Sequence, residues 1–188
     1  TRKGISLLPS LLTLGNLVCG FGAIIRVSLI EFEGQRLTAD GQASLFYAGC
    51  LIFLAMIFDA LDGRVARLTK STSDFGGELD SLCDAITFGV TPGIMVVLLN
   101  PISRFPNGFW GQAAWVFGVA YACGAVLRLA RFNVENTHDD AAHDSFEGLP
   151  TPAAAGVIAS FALLYSFLSG PRVGWLNVFG EETPELVA

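Results

Sequence analysis

Apolar residues occur along this chain in long blocks rather than in alternation. Five stretches are apolar nearly throughout: Leu11 to Ile30, Gln42 to Leu61, Leu79 to Leu99, Phe109 to Leu129 and Pro152 to Leu168. Each approaches the roughly 20 helical residues that cross a hydrocarbon core about 30 Å thick. No segment shows the period-two pattern of a membrane β-barrel strand. Polar flanks extend the blocks into helices of about 11–30, 42–69, 74–99, 109–131 and 150–168. Ser73 and Asp74 suit a helix N-cap, and Pro150 and Pro152 suit an opening turn, where a missing amide costs least. Gly15, Gly20 and Gly22 in the first block are of the kind that lets helices approach closely in lipid. That block is too long, and lacks the small-residue cleavage site, to be a removable leader. The pattern predicts an all-α polytopic membrane protein, a helical bundle forming one transmembrane domain over residues 1–188.

Composition agrees. Of 188 residues, 52% are hydrophobic and 15% charged, against about 25% charged in a typical soluble domain. Cys19, Cys50, Cys83 and Cys123 all lie in apolar blocks with no CxxC pair, which reads as buried small hydrophobes rather than zinc or disulfide chemistry. There is no basic stripe, so nucleic acid is not an expected partner.

The distribution of Lys and Arg orients the spans, because these residues favour cytoplasmic loops. With the N-terminus inside, the inner ends collect Arg2, Lys3, Arg64, Arg67, Lys70, Arg128 and Arg131, while the outer side holds only Arg36, Arg104 and Arg172. The acidic loop from Glu31 to Asp40 then faces outward. The expectation is an integral protein of the cytoplasmic membrane whose 59–84 stretch opens to the cytoplasm.

That stretch, "DALDGRVARLTKSTSDFGGELDSLCD", carries the chemistry. Asp59 and Asp62 lie roughly 10–15 Å from the inner end of the second helix, and Asp80 and Asp84 about 9–15 Å along the third, at 1.5 Å per residue. Spacings of three and four put each pair on one helix face, so four carboxylates can converge. An ionised Asp at mid-membrane costs on the order of 2.5–3.5 kcal/mol, or roughly 10–14 kcal/mol for four. Two divalent cations offset this better than protonation does. Oxygen-only ligands suit Mg²⁺ or Mn²⁺, which points to a two-metal site for phosphoryl chemistry. The neighbours fit such a site. Gly63 allows close approach to the backbone, Arg67 can bind a diphosphate, and Ser73 stands where helix amides favour phosphate. Gly76 could let the second and third helices pack closely.

The spacing D59-x-x-D62-G63-x-x-A66-R67, eight residues, G76-x-x-x-D80-x-x-x-D84 resembles the signature of the CDP-alcohol phosphatidyltransferases. Further stretches, "LPSLLTLGNLVCGF", "ELDSLCDAITFGVTP", "LRLARFN" and "GLPTPAAAG", are similar to the phosphatidylserine synthase branch, and together they cover most of the chain. Ser10 departs from the Asn that often follows the first Pro. The resemblance implies six transmembrane helices working as a homodimer, with the sixth expected to begin near Pro184 and run beyond the end of this sequence. It implies transfer of a phosphatidyl group from CDP-diacylglycerol to L-serine, giving phosphatidylserine and CMP. Asp59, Asp62 and Asp80 would hold one metal, and Asp59, Asp80 and Asp84 the other, with Asp84 also taking the proton from the attacking hydroxyl. Gly63, Arg67 and Ser73 would hold the CDP part of the donor, helped by Thr13 and Asn16.

Serine must have its carboxylate neutralised beside an anionic site. Arg128 and Arg131, three apart at the inner end of the fourth helix, could do this with help from Asn133; they could equally be lipid-headgroup anchors. The same chemistry on glycerol 3-phosphate or an inositol phosphate would call for a denser basic cluster. A divalent-cation or proton transporter would call for polar residues continuing outward. The outer halves of helices two and three, "ASLFYAGCLIFLAMIF" and "AITFGVTPGIMVVLL", are nearly dry. The loop "NTHDDAAHDSFEG", with His138 and His143, reads as a solvated connection, and Trp110 and Trp175 as interfacial residues.

Overall fold

A computed structural model describes residues 7–33, 36–68, 74–99, 109–136 and 148–169. Ser73, the loop carrying His138 and His143, Trp175 and the expected start of a sixth helix lie outside the described residues.

The first span is α1 (Leu7–Ser28). It already includes Leu7, the first described residue, and Pro9 near this end is tolerated because early helical positions have no intrahelical partner for an N–H. A two-residue antiparallel ribbon follows, β1 (Phe32–Glu33) with β2 (Arg36–Leu37), pairing Phe32 with Leu37 and Glu33 with Arg36. Thr38 then caps the next helix: its hydroxyl accepts the Gly41 N–H at 3.1 Å, as an N-cap side chain does.

The second span, α2 (Ala39–Leu68), has 30 residues and so extends about 45 Å. This exceeds the roughly 30 Å hydrocarbon core, so α2 is long enough to cross it and extend beyond. The third span is composite: α3 (Asp74–Asp84), a π-helical segment (Ala85–Val90) and α4 (Thr91–Leu98). Asp84, Val90 and Thr91 keep right-handed helical dihedrals at both junctions, so the rod is unbroken. The last two spans are α5 (Phe109–Asn136) and α6 (Thr151–Ser169). α6 opens after Gly148 at φ 92 with the Ala154 N–H on the Pro150 carbonyl at 3.0 Å.

The helices pack through small residues. α1 runs antiparallel to α2, with Gly15 against Phe58 and Gly22 against Leu51. α2 pairs with α6 through Gly49 against Leu163 and Gly156 against Met56. Two hydrogen bonds fix that pair at its other end: Gln42 Nε2 to the Ser166 carbonyl at 2.6 Å and Ser166 Oγ to the Gln42 carbonyl at 3.1 Å. α4 and α5 meet where Gly93 and Gly118 bring their backbones together; a Cβ on Gly93 would stand 2.7 Å from the Gly118 carbonyl oxygen. The third span is the most enclosed, with 50% of its window buried against 17% for α5, and it touches α1, α2, α5 and α6. Its Thr87, Phe88, Thr91 and Met95 join Ala23, Val27, Leu45, Ile52, Ala155 and Ala159 in the interior.

The outside is apolar. On α1, Leu11, Leu14, Val18, Phe21 and Ile25 line one exposed face, and Thr13, Asn16, Cys19, Ala23 and Val27 the buried one. So large an apolar surface would drive association in water, whereas against lipid tails it is solvated. With five helices among the described residues long and apolar enough to cross a bilayer, the chain is an all-α, integral membrane protein.

Candidate active site

At one end of the bundle the polar residues of three spans meet. Asp59 and Asp62 occupy one face of α2 near its C-terminal end, and Asp80 faces them from α3. Asp59, Asp62 and Asp80 each bring a carboxylate oxygen within 4.8 Å of the other two. Asp62 is 4% exposed, and neither its Oδ2 nor the Oδ1 of Asp80 has a hydrogen-bond partner although both are buried. Buried carboxylate oxygens without donors are strongly disfavoured. Three acids gathered around two such oxygens fit a cation, and an oxygen-only set fits a hard one such as Mg²⁺ or Mn²⁺.

Asp84 stands one turn beyond Asp80. It is 7% exposed and within electrostatic reach of Asp59, Asp80 and Asp62. Its Oδ1 accepts a 2.8 Å hydrogen bond from Nδ2 of Asn16 on α1. Asn16 is fully buried, and its own Oδ1 has no partner. Thr13, a turn earlier on α1, is also buried. Its hydroxyl donates to the Pro9 carbonyl at 3.1 Å and lies against the Asp62 carboxylate. α1 therefore roofs the acids with two polar side chains three residues apart, one over each helix that carries them.

Helices two and three meet at the site and at the π-helical segment. α3 packs against α1 and the π-helical segment, which also touches α2, and α2 packs against α1 and α6. The acids of α2 and α3 bring carboxylate oxygens within 4.8 Å of one another. Gly63 follows Asp62 on α2, and a Cβ there would meet nothing within 4 Å. The backbone of Arg67 belongs to the last turns of α2, while its side chain lies outside the described residues, as does Ser73.

The residues expected to meet serine are distributed differently. Asn133 is engaged with α3, its Nδ2 donating to Ser81 Oγ at 2.9 Å while Ser81 Oγ lies 3.3 Å from Asn133 Oδ1. Asn133 thus ties α5 to the turn that carries Asp80. Arg128 donates from Nη2 to the Gly148 carbonyl at 3.2 Å, holding the entry to α6. A guanidinium has five donors, so this contact uses only part of its capacity. Arg131 is exposed at the same end of α5.

Sequence reasoning missed the partners of Asp84 on α1 and the π-helical segment that follows it. A signal was present: Asn16 and Gly20 on α1, and Thr87 and Thr91 on the third span, are polar or small residues four apart within otherwise apolar runs.

Comparison with known proteins agrees with the site. A family model described as CDP-alcohol phosphatidyltransferase matches residues 6–181. The CDP-diacylglycerol–serine O-phosphatidyltransferase of Mycobacterium tuberculosis (strain ATCC 25618 / H37Rv) is 38% identical over 185 residues, covering 95% of this chain and 58% of that protein. The Helicobacter pylori (strain ATCC 700392 / 26695) protein of the same name is 39% identical over 142 residues, 69% of this chain and 56% of its own length. An archaetidylserine synthase from Methanothermobacter thermautotrophicus is 39% identical over 166 residues, 86% of this chain and 61% of its own. The chain spans little more than half the length of the curated relatives it matches. With the signature acids gathered at one end of a membrane helix bundle and the family model matched over nearly all of its length, the chain belongs to the CDP-alcohol phosphatidyltransferase family.

Proposed function

We propose that this protein transfers the phosphatidyl group of CDP-diacylglycerol to the hydroxyl of L-serine, giving phosphatidylserine and CMP. The observation that carries the reading is the meeting of Asp59, Asp62 and Asp80 at one end of the membrane bundle, with donorless buried oxygens on Asp62 and Asp80. The names of the relatives supply the acceptor and the donor.

Asp59, Asp62 and Asp80 would hold one divalent cation, and Asp59, Asp80 and Asp84 a second, either Mg²⁺ or Mn²⁺. When bound, such ions neutralise phosphoryl oxygens and ease departure of the nucleotide phosphate. The remaining work belongs to the chain. Gly63 admits the diphosphate close to the α2 backbone, and Arg67 and Ser73 pair with it. Asp84, oriented by Asn16, accepts the proton of the serine hydroxyl as its oxygen bonds to the phosphorus that stays with the lipid. The bond from that phosphorus to the CMP oxygen breaks in the same displacement, and CMP leaves with the electron pair. All four acids are committed to ions or proton transfer, so no side chain of the cluster is left to form a covalent phosphatidyl intermediate. Arg128 and Arg131 pair with the serine carboxylate, the planar fork of Arg matching two oxygens at once. Asn133 acts on this end of α5 through its bond to Ser81.

The excess of Lys and Arg at this end of the bundle supports a cytoplasmic active site, an N-terminus inside and residence in the cytoplasmic membrane. The family pattern supports a homodimer embedded among membrane lipids. The test is CMP release from CDP-diacylglycerol by the purified protein with a panel of acceptors: L-serine, glycerol 3-phosphate and inositol phosphate. Turnover with serine alone is the expected result, and Asp84→Asn should abolish it while leaving CDP binding measurable. Turnover with a phosphorylated acceptor and none with serine would replace the acceptor.

A further inference from the structure

Asp84 is the last residue of α3, and the π-helical segment begins at the next position. π-helical turns are uncommon and occur frequently at functional sites. Here the segment lies against α1. The Thr87 hydroxyl reaches the Asn16 carbonyl at 3.4 Å. The Thr91 hydroxyl donates to the Ile86 carbonyl at 2.9 Å and stands 3.4 Å from the Gly20 carbonyl. Both threonines are fully buried. Gly20 makes the approach possible: a Cβ on it would stand 2.8 Å from the Thr87 Cβ and 2.9 Å from its Cα, closer than carbon atoms pack.

Asn16 is therefore gripped twice by one short stretch of the third span. Its side chain is bound to Asp84, and its backbone carbonyl faces Thr87 three residues later. The two helices run in the same direction here, Asn16 beside Asp84 and Gly20 beside Thr87 and Thr91. Their relative height consequently fixes the distance from the amide to the carboxylate.

We infer that the π-helical segment and α1 form a positioning device for Asp84, in which Asn16 aims the carboxylate and Thr87, through its hydroxyl on the Asn16 carbonyl and its packing on Gly20, sets the height of Asn16. Asn16 then acts on the acid and not on the nucleotide, and Thr87 is a positioning residue although it touches neither substrate nor ion. The inference rests on the proposed role of the acid cluster, and its test separates the two.

The test compares Asn16→Leu, Thr87→Val and Thr87→Ser with the wild-type protein by Mn²⁺ binding, CDP binding at saturating Mn²⁺, and CMP release. Losing a hydrogen bond to a charged group should lower kcat in Asn16→Leu by about 10- to 100-fold. Mn²⁺ affinity should weaken with it, while CDP affinity at saturating Mn²⁺ and the KM for the CDP-lipid stay within about threefold, an energy well under that of a lost hydrogen bond. Thr87→Val should lose kcat in the same pattern, and Thr87→Ser should restore most of it. Asn16→Leu with unchanged Mn²⁺ affinity overturns the inference, as does Thr87→Val with wild-type kcat. Weakened CDP binding at unchanged Mn²⁺ affinity also overturns it, by putting the amide on the nucleotide. A wild-type protein that binds Mn²⁺ but releases no CMP would defeat the proposed reaction instead, with the Mn²⁺ comparison still deciding the role of Asn16.

Discussion

A single methyl group at Gly20 should uncouple α1 from the third span. The Cβ of Gly20→Ala would lie 2.8 Å from the Thr87 Cβ and 2.9 Å from the Thr87 Cα. Carbon atoms rest at about 3.5–4.0 Å, so the helices must part by about 0.7–1.2 Å. Backbone and a β-branched side chain oppose the methyl, and neither can swing aside as the end of a flexible chain would. Asn16 is one turn away on the same helix, and its 2.8 Å bond to Asp84 would stretch toward about 3.5–4.0 Å, where a hydrogen bond no longer exists. Overpacking of this kind costs about 1–3 kcal/mol, and loss of the bond to Asp84 should lower kcat by about 10- to 100-fold. Thermal unfolding in detergent reads the first effect and CMP release the second. Because Gly20→Ala and Asn16→Leu act on one bond, the double variant should be little slower than either single one. A Gly20→Ala protein with wild-type kcat, or a double variant whose losses multiply, would refute the reasoning.

Four further outcomes follow from the same geometry. Mn²⁺ at a hundred times its dissociation constant should stabilise the protein by about 2.7 kcal/mol, a Tm rise of about 5–10 °C for a chain of this size. Fluorimetric melting checks this, and Asp80→Asn should remove most of the shift. Gly148→Ala forces a side chain into φ 92, with its Cβ 3.2 Å from Arg128 Nη1; it should cost about 1–2 kcal/mol, and an unchanged Tm would contradict it. Arg131→Leu should raise the KM for serine more than that for the CDP-lipid, and an unchanged serine KM would remove Arg131 from the acceptor site. A donor chiral at the transferred phosphorus should react with inversion, and retention would require a covalent intermediate.

Hydropathy revealed the spans because the bilayer imposes their length, and the acids stood out because charges are rare in such blocks. Asp59, Asp62, Asp80 and Asp84 could be placed at matching depth from helix rise alone. Lateral packing was harder to read. On α1, lipid-facing Val18 and Phe21 and core-facing Ala23 and Val27 are all apolar, so hydropathy does not say which face meets the protein. That is why the place of α1 over the acids of both α2 and α3 could not be read. Hydrogen bonds across such interfaces are invisible for the same reason. The amide of Asn16 serves Asp84, and that of Asn133 serves Ser81, although spacing alone would allow either to meet a substrate. The π-helical segment leaves no periodic mark, because its six residues, AITFGV, are too few to show a period of their own among apolar neighbours. Helix ends shifted where local chemistry overruled the apolar count, as at Thr38 capping α2.

The most direct measurement is CMP production from CDP-diacylglycerol and L-serine by the purified protein, before and after exhaustive chelation and again after Mg²⁺ or Mn²⁺ is restored. Turnover that vanishes with the metal and returns with it, and that Asp59→Asn, Asp80→Asn and Asp84→Asn each abolish, is the predicted result. Undiminished turnover in the chelated protein would contradict the claim that these membrane-helix acids act by caging divalent cations.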